Sequence, residues 1–233
     1  FLSLPRVELV RPNNPIPSRA AVGSPEAARR LITMAQPIRG TPVETYLAGR
    51  GIAPVHDAGA LRYHPRCYYR PDDGGPAQRR PAMIASVTDL QGRITGAHRT
   101  WLAPDGSGKA AVTTPRRAMG NLLGHAVRFG VAEDILAVGE GIETMLSLRA
   151  ALPGMPMAAA LSASHLGALE IPRSLRRLYI ARDADPAGDK AAADLTSRAT
   201  AAGVAVRILL PRGGDFNDDL QATLTPVSVR TES

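Results

Sequence analysis

The fold of this chain is decided by two stretches, LAVGEGIE at residues 136–143 and LYIARDADPAGDKAA at residues 178–192. Each begins as a short apolar run, breaks at glycine or at acidic residues, and continues as a helix-forming segment. An apolar run without a polar face indicates a strand that is covered on both sides. Similar apolar runs at 157–161 and 204–210 extend the pattern. Strands that alternate with helices predict an α/β domain with a parallel sheet.

Carboxylates follow three of these predicted strands. Glu140 follows the first, Asp183 and Asp185 follow the third, and Asp215 follows the fourth. The carboxyl ends of parallel strands share one edge of the sheet, so these acids are expected to converge there. Converging carboxylates are tolerated mainly when cations neutralise them, and Mg²⁺ prefers oxygen ligands. We therefore predict a site for Mg²⁺ or Mn²⁺, in which two ions roughly 4 Å apart would activate a hydroxyl and stabilise a leaving pyrophosphate.

The charge is distributed unevenly. Residues 1–130 carry 18 basic and 8 acidic groups, whereas residues 131–233 carry 10 basic and 13 acidic groups. This asymmetry predicts that the first half binds a polyanion, although an arginine-rich composition with solvated surfaces explains the charge equally well. Arginine pairs with phosphates through two hydrogen bonds at once. The candidate phosphate-binding residues are Arg79, Arg80, Arg93, Arg99, Lys109, Arg116 and Arg117.

The first half of the chain shows a different local pattern from the second. Its proline-rich opening indicates a linker, and Ser24-Pro25 and Thr41-Pro42 are helix-start signals. The segments 83–88 and 93–101 are strand candidates on either side of the turn Asp89–Gly92, and together they predict a β-hairpin. The predicted division is a linker or extended arm at 1–24, a basic α+β domain at 25–130, an α/β domain at 131–221 and a tail at 222–233.

Several classes of protein are disfavoured. Cys67 is the only cysteine, which excludes an internal disulfide and an all-cysteine zinc site and fits a reducing cytoplasm. No apolar run approaches the roughly 20 residues of a membrane span, and the opening FLSLPR has no signal-peptide pattern. Because the first residue is Phe1, we expect a processed or truncated N-terminus.

Three motifs resemble the Toprim domain, which topoisomerases, bacterial primases and some nucleases share. They are VGEG at 138–141, RDADPAGDKAA at 182–192 and GGDFNDD at 213–219. The preceding region is similar to the N-terminal half of the bacterial primase core, in YLAGRGI, LRYHP and the hairpin segment. The resemblance favours phage and plasmid-type relatives. It implies an α/β Toprim domain with a Rossmann-like parallel sheet, preceded by a smaller basic α+β domain.

The resemblance also implies roles for individual residues. The family's catalytic and metal-binding acids correspond to Glu140, Asp183, Asp185 and Asp215. Asn217 stands where a further acid is expected, which leaves Asp218 as its substitute, and Thr144 stands where aspartate is frequent. Basic residues that hold nucleotide or template phosphates correspond to Arg99 and Lys109.

The predicted function is that of a DNA primase core, which makes short RNA primers on single-stranded DNA from ribonucleoside triphosphates. A replicative helicase or a separate zinc-binding domain is a further expected partner, because no zinc ribbon or helicase-binding domain is present in this sequence. A Toprim nuclease and a non-catalytic module that binds single-stranded DNA are the alternatives. Tyr68, Tyr69 and Trp101 are the candidates for base stacking, with core packing favoured for Trp101.

Overall fold

The computed structural model describes residues 23–55, 58–182 and 185–224. Asp183 and Ala184 lie outside these ranges, as does most of the predicted N-terminal linker. The elements are α1 (Pro25–Thr33), α2 (Pro42–Gly49), a 3₁₀ turn (Ala58–Ala60), β1 (Leu61–Tyr69), β2 (Gln78–Thr88), β3 (Ile94–Trp101), β4 (Arg116–Gly120), β5 (Ala126–Phe129), β6 (Ile135–Gly139), α3 (Ile142–Ala151), β7 (Met157–Ala159), α4 (Ala163–Gly167), β8 (Arg177–Ala181), α5 (Pro186–Ala201), β9 (Ala205–Leu209) and α6 (Phe216–Leu224).

The described strands form one continuous sheet in the order β4-β3-β2-β5-β7-β6-β8-β9, with β1 paired to β2. Strands β7, β6, β8 and β9 are parallel, which confirms the predicted α/β fold. The long strand β2 pairs with β1 and β3 along most of its length and with β5 at Val87 and Thr88, and β5 carries the sheet into the second half of the chain. Strand β5 then pairs antiparallel with β7.

The helix starts follow the sequence signals. The Ser24 hydroxyl accepts a hydrogen bond from the amide of Ala27 at 3.2 Å, and the Thr41 hydroxyl accepts one from Val43 at 3.3 Å. In each helix a proline occupies the first turn, where its missing N–H group removes no helical hydrogen bond. These caps fix where α1 and α2 begin.

The predicted hairpin is confirmed as β2 and β3. The Asp89 carboxylate accepts hydrogen bonds from the amides of Gln91 and Arg93, at 3.0 and 2.9 Å, and closes the turn. Gly92 adopts a φ of 76°, a conformation that glycine reaches without steric cost.

One buried apolar cluster contains residues from both predicted domains. Tyr46 and Met83 from the first half pack in the same cluster as Met145 and Phe216 from the second. The boundaries of the predicted domains stay a prediction, since the sheet and this cluster both run past residue 130. No helix in the described ranges has the length and apolar character needed to cross a membrane.

Several segments differ from the sequence-based expectation, and strands β4 and β5 are among the elements that it does not include. Strand β1 was not predicted, because Pro65 interrupts it; a bulge between His64 and Cys67 accommodates the proline. The acidic segment 214–219 was predicted to be a loop, but α6 begins inside it at Phe216. The Asp215 carboxylate caps this helix, accepting hydrogen bonds from the amides of Asn217 and Asp218 at 2.7 and 2.8 Å.

Candidate active site

Glu140 lies at the carboxyl edge of the parallel sheet, directly after β6. Its carbonyl accepts a hydrogen bond from Leu161 at 2.8 Å, which ties it to the segment after β7. The preceding Gly139 is aligned with Ala181 at the end of β8, and a Cβ atom on Gly139 would lie only 2.7 Å from the sulfur of Met145. A larger residue at position 139 would therefore require the Met145 side chain and its neighbours to shift. This packing places Glu140 next to the segment that follows β8.

Asp185 and Asp215 occupy equivalent positions after β8 and β9. Each begins a helix: Asp185 accepts a hydrogen bond from the amide of Gly188 at 2.7 Å, and Asp215 caps α6 as described above. Both residues are exposed, and in both these bonds engage the Oδ1 atom. The Oδ2 atoms are therefore the oxygens suited to a cation. Asp183 lies outside the described residues, so its predicted role stays a prediction.

A divalent metal ion fits the chemistry of these carboxylates. Within residues 23–55, 58–182 and 185–224, no three acidic, histidine or cysteine side chains lie close enough together to form a metal site on their own. Mg²⁺, however, is usually held by one or two carboxylates together with water and substrate phosphates. The acids at the sheet edge suit such an open site rather than an all-protein cage.

The remaining predicted acid, Asp218, is exposed on the first turn of α6, where its Oδ2 atom accepts a hydrogen bond from the amide of Asp215 at 3.2 Å. Its neighbour Asn217 is only 4% exposed. The Asn217 amide donates to the Arg50 carbonyl at 2.7 Å and to the Ser147 hydroxyl at 3.1 Å. Asn217 therefore joins α6 to α3 and to the end of α2, which is a structural role.

We expect Asn217→Ala to lower the free energy of unfolding by about 2 kcal/mol, because the Arg50 carbonyl and the buried Ser147 hydroxyl are deprived of this partner. Urea denaturation measures this change. Asn121→Ala, at an exposed asparagine, is the matched control and should stay within about 0.5 kcal/mol of the wild type. Equal stability of the two variants would contradict the structural role of Asn217.

A buried polar cluster surrounds Glu143, in the first turn of α3, and sequence reasoning missed it. Glu143 on α3 is 8% exposed. Its Oε1 atom accepts a hydrogen bond from the Tyr46 hydroxyl at 2.8 Å and lies 3.2 Å from the Lys109 ammonium. Burial alone would raise the pKa of Glu143, but Lys109 and Tyr46 lower it to about 2. The repeated acid in GEGIE was the available signal.

His98 on β3 lies close to this cluster. Burial lowers its pKa to about 4, and nearby Arg116, Arg99 and Lys109 contribute to this lowering against the opposing effect of Glu143. His98 is therefore neutral at physiological pH. Its surroundings are cationic, with Glu143 as the acidic group among them.

The predicted phosphate-binding arginines differ in their exposure and in their partners. Arg99 and Arg117 are partly buried and lie 5.1 and 5.9 Å from the centre of the Trp101 ring. Arg117 also pairs with Asp72 at 2.6 Å, so it stabilises the sheet. Arg79 on β2 and Arg116 on β4 are exposed, and Arg79 also donates a hydrogen bond to the Tyr68 hydroxyl at 3.0 Å. Arg80 is partly buried, and its Nε atom donates to the Gln78 side chain at 2.9 Å.

Comparison with known families defines the class. Residues 135–225 match the family of the Toprim domain, and residues 22–129 match a family described as a domain of unknown function, DUF7146. The second half of this chain is therefore a Toprim domain. A search of curated proteins gave no significant match.

Solved structures have a similar fold over most of the chain. It is similar to a DNA primase domain from Pseudomonas aeruginosa, with a TM-score of 0.55 and 18% identity over 84% of this chain and 74% of that one. It is also similar to the Aquifex aeolicus primase, zinc-binding and RNA polymerase domains, with a TM-score of 0.57 and 17% identity over 85% of this chain and 59% of that one. The chain has the fold of a Toprim primase core.

Proposed function

We propose that this protein is the catalytic core of a DNA primase, which synthesises short RNA primers on single-stranded DNA. The observation that carries the proposal is the placement of Glu140, Asp185 and Asp215 at one sheet edge, in a Toprim domain whose sheet continues into a basic N-terminal half. A Toprim domain alone would suit a nuclease equally well. The continuous sheet with the primase fold favours nucleotidyl transfer.

In the proposed reaction, a 3′-hydroxyl oxygen forms a bond to the α-phosphorus of a ribonucleoside triphosphate. The bond from that phosphorus to the α–β bridging oxygen breaks, pyrophosphate leaves, and the hydroxyl proton passes to a base or to water. Asp185, with Asp183 and Asp215, would hold Mg²⁺ or Mn²⁺, and Asp218 is a further candidate. Glu140 would hold one ion or accept the proton. A bound divalent ion supplies positive charge at the phosphate oxygens and lowers the pKa of the attacking hydroxyl.

A single assay separates the candidate functions. The protein is incubated with single-stranded DNA, ribonucleoside triphosphates and Mg²⁺ or Mn²⁺. New short RNA supports the primase, shortened DNA supports a Toprim nuclease, and a mobility shift alone supports a DNA-binding module. Repeating the assay with an added zinc-binding primase domain or a replicative helicase tests the proposed partners.

Salt dependence tests whether the basic half binds the template. Replacing Arg79 and Arg116 together by Gln should weaken binding of single-stranded DNA similarly for different sequences. The slope of log affinity against log salt should fall by about 0.7 for each phosphate that the variant no longer binds. Fluorescence anisotropy titrations at several salt concentrations, on two unrelated oligonucleotides, measure both effects.

The matched control for this experiment removes the same charge from the second half. Arg173 and Arg176 are exposed there, and replacing both by Gln should leave the slope nearly unchanged. If the control flattens the slope as much as the Arg79 and Arg116 variant does, the charge asymmetry reflects composition rather than a template surface.

A further inference from the structure

Three parts of the chain meet at the carboxylate of Glu143. Tyr46 comes from α2, Lys109 from the segment between β3 and β4, and Glu143 from α3 of the Toprim domain. The Tyr46 hydroxyl and the Lys109 ammonium both contact the same oxygen, Oε1, at 2.8 and 3.2 Å. The cluster therefore fixes a lysine of the basic half against the helix that begins beside Glu140.

Stability alone does not explain a buried ion pair of this kind. Removing two charges from water is costly, and apolar side chains of similar volume are often at least as stabilising. The Lys109 ammonium and the Tyr46 hydroxyl nevertheless lower the pKa of Glu143, so its carboxyl is ionised at physiological pH. The buried Glu143 carboxylate is therefore better explained by its effect on the position of the Lys109 side chain.

The surroundings explain why Lys109 requires an anion. Arg116 and Arg99 lie near enough to lower the pKa of His98 together with Lys109, so several cations share this region. Like charges at such separations repel one another. A flexible lysine side chain would turn away into solvent, because holding it still costs conformational entropy. The attraction between the Glu143 carboxylate and the Lys109 ammonium offsets both this repulsion and this loss of conformational entropy.

The position of Lys109 is suited to a phosphate ligand. Glu143 lies in the first turn of α3, three residues after Glu140 in the sequence. Lys109 lines a cleft of about 280 Å³ together with Arg50, Gly108 and Gln221, and its side chain is 30% exposed. An ammonium group has three N–H donors. One is directed to Glu143, and the exposed part of the group faces the cleft.

We infer that Glu143, assisted by Tyr46, is a positioning residue that holds Lys109 so that its ammonium binds the triphosphate of the incoming ribonucleotide. This inference rests on the proposed function for the identity of the nucleotide. The physical claim, that Glu143 orders a cation for a polyphosphate, stands on the contacts of Glu143 alone. Its effect is on ligand binding, because Glu143 itself does not face the cleft.

The test measures binding of inorganic tripolyphosphate by calorimetry for Glu143→Gln, Lys109→Gln and the double variant. Glutamine keeps the shape of Glu143 and removes its charge. We expect each single variant to bind about tenfold more weakly, and the double variant to bind no more weakly than Lys109→Gln. This non-additivity is the signature of one residue acting through another. Glu133→Gln, at an exposed position, is the control and should bind as the wild type does.

Tyr46→Phe provides a milder variant that removes only the hydroxyl, and we expect roughly a threefold loss of affinity. It keeps the inference testable if Glu143→Gln folds poorly in thermal denaturation. In primer synthesis, Glu143→Gln should raise KM for the ribonucleotide about tenfold and change kcat by less than about threefold.

The inference is overturned if Glu143→Gln binds tripolyphosphate as tightly as the wild type or more tightly, since Glu143 would then be irrelevant or would compete with the ligand. Absence of tripolyphosphate binding by the wild type also overturns it. These outcomes are separate from the proposed function. A protein that makes no RNA but binds tripolyphosphate in a Glu143-dependent manner refutes only the function, and one that makes RNA with unaltered Glu143→Gln parameters refutes only the inference.

Discussion

Asp185→Asn should lower the rate of primer synthesis at least about 100-fold, a loss of on the order of 3 kcal/mol in transition-state stabilisation. The reason is specific to this position. Asparagine caps a helix about as well as aspartate, so the hydrogen bond to the amide of Gly188 and the start of α5 should survive. What the substitution removes is the negative charge that a hard divalent ion requires. Binding of single-stranded DNA and thermal stability should remain close to those of the wild type.

The measurement is extension of primers at fixed Mg²⁺, with the melting temperature and DNA affinity of each variant determined in parallel. Asp194→Asn is the matched control, because Asp194 is an exposed acid on the same helix that pairs with Lys190 at 2.8 Å. Glu140→Gln should behave as Asp185→Asn does. If both variants synthesise primers as fast as the wild type at unchanged Mg²⁺, the assignment of the catalytic centre to this sheet edge is wrong.

Trp101→Ala should lower the free energy of unfolding by about 4 kcal/mol, which is typical of deleting a fully buried aromatic side chain. Trp101 is 1% exposed and packs edge-to-face on Tyr69, with ring centres 5.0 Å apart. Arg99 and Arg117 lie near the same ring, so their positions also depend on it. In urea, with an m value of about 2 kcal/mol per M, the unfolding midpoint should fall by about 2 M.

The control for this prediction is Tyr68→Ala. Tyr68 is 61% exposed and stacks against Arg79, so its removal should cost less than about 1 kcal/mol. If Trp101 instead stacked on a template base, Trp101→Ala would weaken DNA binding and leave the unfolding midpoint unchanged. That result would contradict the core position of Trp101.

Local signals explain how much of the fold could be predicted from the sequence. The strand before Glu140, the proline-marked helix starts and the hairpin around Asp89 depend on residues within a few positions of one another, and the structure confirms them. Strand β1 could not be predicted, because a bulge at Pro65 conceals its alternation. Helix α6 could not be predicted, because a segment that begins with a helix-capping aspartate has the same amino-acid composition as an acidic loop.

The candidate site was predictable only in part, for a related reason. Acids placed after strands are visible in the sequence because a parallel sheet brings strand ends together. The partnership of Glu143 with Tyr46 and Lys109 joins residues as far as 97 positions apart, and no local pattern encodes such a pairing. Asp183 lies outside the described residues, so its place in the site rests on the sequence.

The continuous sheet through both halves of the chain has a thermodynamic consequence for ligand binding. Because β5 hydrogen-bonds both to β2 of the first half and to β7 of the second, no pivot within the described sheet separates the arginines from the carboxylates at the sheet edge. Enzymes built from two loosely linked bodies must close around a substrate and lose the freedom of that motion on each binding event. In this protein the conformational entropy of motion between the two halves is lost once, when the chain folds. Binding of template and nucleotide is therefore expected to carry little entropic penalty from the protein backbone.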